Sequence, residues 1–101
     1  MNMQELMRQA KRMQKQMEKA REEAGSKEVE GTAGGGMVKV VANGRSEVIS
    51  VTIEKEVVDP EEIEMLQDLI VAATNQALSR ANEMMQAELG KMTGGLPIPG
   101  F

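Results

Sequence analysis

The sequence contains no cysteine, histidine, tryptophan or tyrosine, and its one aromatic residue is Phe101. Each absence closes off some chemistry. Without thiols or imidazoles there is no zinc or iron site of the usual kind, no thiolate nucleophile, no imidazole base and no disulfide framework. With so little aromatic surface there is no platform for stacking unpaired bases, so the usual modes of single-strand recognition are not expected. No eighteen apolar residues run together, and the first twenty residues carry charges throughout, so neither a membrane span nor a signal peptide is expected. No nucleophile can be paired with a base, which makes an enzyme the least expected class. A cytoplasmic protein with no cofactor and no small-molecule substrate is the expectation.

What is present is unevenly distributed. The 101 residues are expected to form one domain with a formal charge of −4. Residues 1–21 hold six basic side chains against two acidic ones, a local net of +4, whereas residues 22–101 hold six against fourteen, a net of −8. A basic arm on an acidic body follows, and the arm should choose the partner.

The arm reads as a helix within residues 1–25. From Met3 to Ala24 it lacks Gly and Pro, is rich in good helix formers, and places Met3, Leu6, Ala10, Met13, Met17, Ala20 and Ala24 at alternating steps of three and four. Gly25 and Ser26 should end it. Residues 28–58 change to Val, Ile and Thr punctuated by Gly, which predicts an antiparallel sheet. Its strands are expected at Val29–Ala33, Met37–Ala42 and Ser46–Glu54, joined by the Gly34-Gly35-Gly36 turn and by a hairpin at Asn43-Gly44, two residues that tolerate positive φ. In the third strand Ile49, Val51 and Ile53 should share the covered face. A long helix over 59–91 is expected to cover the sheet, with Asp59 as its cap and Pro60 in its first turn. Residues 92–101 form a Gly/Pro-rich tail that cannot be helical throughout. The fold class is therefore α+β in the order α-β-β-β-α. Helices of about 33 and 45 Å are too long for a body whose radius of gyration should be about 13 Å. They should protrude, and a homodimer is the simplest way to complete the core.

Arg8, Lys11, Arg12, Lys15 and Lys19 all fall opposite the apolar seam of the first helix. They make a cationic stripe about 16 Å long, suited to the phosphates of a duplex. A solvated helix face would carry the same residues. Membrane attachment is disfavoured because the apolar side is largely Met and Ala without Trp or Phe. Gly34-Gly35-Gly36-Met37-Val38-Lys39 is not a phosphate loop, since its spacing is wrong and a strand follows it. The acids between Glu54 and Glu64 match no cation-binding loop and suit a helix N-terminus. The ten Met residues read as gap-filling dimer core.

Three segments together resemble a known family. They are Asn43-Gly44 with the strand Glu47–Ile53, the stretch Val57-Val58-Asp59-Pro60-Glu61-Glu62 leading into Met65–Ala77, and the ending Thr93-Gly94-Gly95-Leu96-Pro97-Ile98-Pro99-Gly100-Phe101. In them the chain is similar to the YbaB/EbfC family of bacterial nucleoid-associated proteins. The resemblance implies a homodimer with protruding helices that binds double-stranded DNA, alters its conformation, sits on the nucleoid and contributes to gene regulation. Carried over residue by residue, the contacts would come from Arg8, Lys11, Arg12, Lys15 and Lys19. The outer half of the long C-terminal helix offers only Arg80 and Lys91 against Glu83 and Glu88. The competing reading is a protein interaction module whose protruding helices grip a partner protein.

Overall fold

The structure, a computed structural model, describes residues 2–92. Helix α1 spans Met3–Ser26, strands β1, β2 and β3 span Glu28–Ala33, Val38–Asn43 and Val48–Ile53, and α2 spans Ile63–Met92 after a single 3₁₀ turn at Lys55–Val57. The sheet is antiparallel with β2 in the middle, which is the expected α-β-β-β-α order.

The core is built from small residues on a close-lying helix. Val38, Val40 and Ala42 of β2 are fully buried with Ala73, Ala77 and Ala81 of α2. Alanines four residues apart share one helical face, so this face presents almost bare backbone to the sheet. Gly31 in β1 completes the fit, because a Cβ there would overlap the carbonyl of Ala73 and the amide nitrogen of Ala77. The outer edge of β1 is also occupied: the Thr32 N–H donates to Gln76 Oε1 at 2.7 Å and Arg80 Nη1 donates to the Glu30 carbonyl at 2.8 Å.

α2 outruns the sheet, and its second half lies antiparallel to the C-terminal half of α1. Leu89 is buried there, and the Lys27 ammonium meets Glu88 at 3.0 Å. Toward the opposite end of α1 every residue from Asn2 to Gln16 is exposed among the described residues. The molecule measures 71 × 19 × 16 Å with a radius of gyration of 19.2 Å, well beyond the roughly 13 Å of a compact chain this long.

Several local expectations are corrected. Gly25 does not end α1. It is itself helical, with the Arg45 side chain 3.0 Å from where a Cβ would stand, and the helix ends at Ser26 with the Lys27 N–H on the Ala24 carbonyl. Asn43 and Gly44 mark the hairpin but neither takes the positive φ expected of them. Gly44, Arg45 and Ser46 form a three-residue loop in which Ser46 takes the positive φ of 61°, while Gly44 is required by its approach to the Ala24 carbonyl. Asp59 does not cap α2. Its carboxylate accepts the Glu61 N–H, its carbonyl accepts the Glu62 N–H, and the helix begins at Ile63. In β3 a bulge sets Val41 opposite Ser50 but Ala42 opposite Val48, leaving Ile49 as the extra residue. Only Ile53 is then half-buried, because α2 packs over β1 and β2 and leaves Val48, Ile49 and Val51 exposed. The expected tail lies outside the described residues except for Met92, which is helical.

Candidate nucleic-acid interface

α1 holds its cations in a line because nothing interrupts its helix. The Asn2 Oδ1 accepts the Glu5 N–H at 2.9 Å and starts it, and no Gly or Pro follows until Gly25. At 3.6 residues per turn, Arg8, Lys11, Arg12, Lys15 and Lys19 lie within an arc of about 100°. All five are exposed, and none is ion-paired among the described residues. Arg8 and Arg12 flank a shallow groove with Glu5 and Gln9. Lys19 sits further in, in a cleft between the helices lined also by Gln16, Ala20, Glu23, Lys91 and Met92. Four of the expected contacts thus stand on the free arm, and the fifth stands where the arm meets α2.

The apolar seam is only partly used. Met17 and Ala20 are half-buried and Ala24 is buried, whereas Met3, Leu6 and Met13 stay exposed. The cations of α2 are committed elsewhere. Arg80 is tied to the edge of β1, and Lys91 lies 3.5 Å from Glu88, whose carboxyl is held below its ordinary pKa by the Lys27 ammonium and then by Lys91. In the sequence Arg80 stands out only as a cation of α2, and Gln76 does not stand out as a functional residue. Their spacing of four residues on one side of α2 is the available signal, but only the register of β1 reveals what they bind.

With this geometry in place, the comparisons decide the family. The chain matches the sequence profile of the YbaB/EbfC DNA-binding family over residues 1–96. The chain belongs to that family. It is 58% identical over 100 residues to a nucleoid-associated protein of Desulforamulus reducens, covering 99% of this chain and 95% of that one. Identity is 54% over 100 residues to one from Pelotomaculum thermopropionicum, with 99% and 95% covered, and 59% over 99 residues to one from Bacillus cytotoxicus, with 98% and 91% covered. The crystal structure of an uncharacterized protein, HP0035 from Helicobacter pylori, has the same fold, with a TM-score of 0.79 at 24% identity over 93% of this chain and 99% of that one. This is a DNA-binding family and not an enzyme family. No helix among the described residues is long and apolar enough to cross a membrane, and the YbaB/EbfC relatives are named for the nucleoid.

Proposed function

We propose that this YbaB/EbfC protein binds double-stranded DNA as a homodimer, through phosphate contacts from Arg8, Lys11, Arg12, Lys15 and Lys19, and that it changes DNA conformation and thereby gene expression on the nucleoid. The observation that carries the reading is the cationic arc, all five of whose residues are exposed among the described residues. Unpaired Lys and Arg on a straight rod release counterions when they replace them along a phosphate backbone, and this requires no base contact. Homodimerisation is supported by the apolar surface left open on β3 and on the seam of α1.

Replacing Arg8, Arg12 and Lys15 together by Glu tests the surface. Duplex affinity at about 50 mM salt should fall roughly a hundredfold or more, because each lost phosphate contact removes a released counterion and each new carboxylate repels. The melting temperature should change little, since these side chains are exposed and not ion-paired among the described residues. Unchanged affinity would assign DNA contact to another surface. A second reading, a module gripping a partner protein, is favoured by the exposed Met3, Leu6, Met7 and Met13. It predicts no retention of the wild-type protein on plain duplex at low salt.

A further inference from the structure

Among the described residues, the three methionines with more than half their surface in solvent all stand on the arm: Met3 at 73%, Met7 at 57% and Met13 at 52%. Met17, Met37, Met84, Met85 and Met92 are half-buried. The chain has no cysteine, tryptophan, tyrosine or histidine to take an oxidant first. A two-electron oxidant therefore meets thioether sulfur as its readiest target, and meets it most openly on α1.

The same side chains help to hold the arm. Every residue from Asn2 to Gln16 is exposed, so the helix there draws on propensity and on neighbours three or four residues apart. Methionine is a good helix former. Met3 pairs with Leu6 and Met7, Met7 with Ala10, and Met13 with Ala10 and Met17, so that of the apolar pairs in this stretch only Leu6 with Ala10 lacks one of the three exposed sulfurs. A sulfoxide turns the apolar end of the side chain into a polar one, which is better solvated by water than packed on an apolar neighbour. Arg8, Lys11 and Arg12 lie between Met7 and Met13. Fraying of that stretch takes three of the five cations out of line.

We propose that Met3, Met7 and Met13 form a sulfoxidation site for oxidants of the hydroperoxide class, and that their oxidation unwinds the arm and releases the duplex. The thioether sulfur attacks one peroxide oxygen, and the S–O bond forms as the O–O bond breaks. Sulfur gives up two electrons, and the proton on the transferred oxygen leaves with the departing hydroxide as water. Methionine sulfoxide reductases return the sulfoxide to the thioether, so the change is reversible. Release of the duplex rests on the DNA reading above, whereas oxidation and unwinding stand without it.

The full chain is treated with hydrogen peroxide, oxygen uptake is mapped by peptide mass spectrometry, helicity is read by circular dichroism, and duplex affinity is measured at about 50 mM salt. Met3, Met7 and Met13 should be oxidised before Met37, Met84 and Met85. The helical signal should then fall, duplex affinity should drop roughly tenfold, and treatment with a methionine sulfoxide reductase should restore both. The triple variant Met3→Leu, Met7→Leu, Met13→Leu keeps the apolar pairs and takes up no oxygen at these positions. Its helicity and affinity should withstand the same exposure. Arm methionines that react no faster than the half-buried ones, an oxidised wild type that keeps its helical signal, or a Leu variant that loses as much signal as the wild type would each overturn the site. A wild-type chain that does not bind duplex overturns the DNA reading instead, and the helical signal still decides whether the site exists.

Discussion

Asn43 is buried at 4% exposure and organises the β2–β3 loop through all its polar atoms. Its Oδ1 accepts the N–H groups of Arg45 and Glu47 at 2.9 and 3.1 Å, and its Nδ2 donates to Glu47 Oε1 at 2.8 Å. That last bond, with help from Arg45, holds the Glu47 carboxyl below its ordinary pKa. Replacing Asn43 by Ala leaves two backbone donors to water or to nothing and should cost about 1–3 kcal/mol in denaturant unfolding. Gly44→Ala acts on the same contact from the other side. Its Cβ would strike the carbonyl of Ala24, so α1 must lift off the loop, at about 1–3 kcal/mol. The pH response follows from the sign of the shifts. Carboxyls lowered in the folded state, here Glu47 and Glu88, stabilise it above their unfolded pKa, and that contribution is lost as pH falls through the folded value. The melting temperature should therefore drop on acidification below the ordinary carboxylate range. The Glu47→Gln, Glu88→Gln double variant should show a shallower drop over the same window.

The legibility of each element depended on whether its determinants were local. The periodicity of α1, the Val-rich strands and the long run of α2 announced themselves in the sequence, as did the stripe from Arg8 to Lys19. The three-four spacing identified a seam but not how much of it is used: Met17, Ala20 and Ala24 are half-buried or buried, and Met3, Leu6 and Met13 stay bare. Gly25 and Gly44 read locally as residues chosen for backbone freedom, whereas each is a point of close approach between α1 and the loop. The bulge at Ile49 and the docking of Gln76 and Arg80 depend on register, which no single segment carries. The free arm yields its own prediction. Since residues 3–15 are all exposed, with little tertiary burial among the described residues, their helix rests mainly on propensity and on the Asn2 cap. Gln9→Pro should break the arm, lowering the helical circular dichroism signal while leaving the cooperative melting of the sheet and α2 unchanged. Duplex affinity should fall with it, because Arg8 and Arg12 no longer share a line with Lys15 and Lys19.

At the scale of the whole molecule, the 71 Å length separates charge as well as mass. The net +4 of residues 1–21 sits on the arm, and the net −8 of the remainder is spread over sheet, loops and α2. A phosphate rod is thus attracted to one end of the molecule and repelled by the other, which fixes how the protein can approach it. Two arms with five cations each would neutralise on the order of six to ten phosphates, and each neutralised phosphate contributes about −0.9 to the slope of log affinity against log salt. Raising salt from about 50 to 200 mM should therefore weaken binding by about 10³ to 10⁵, equally on duplexes of unrelated sequence. The acidic body moderates this slope, since its repulsion is screened by the same salt and works against the trend. Replacing Lys15 alone by Gln should reduce the slope by about 2 in a dimer, one contact per arm, while the sequence preference stays the same. Affinity insensitive to salt would mean that the arms do not hold the duplex by its phosphates.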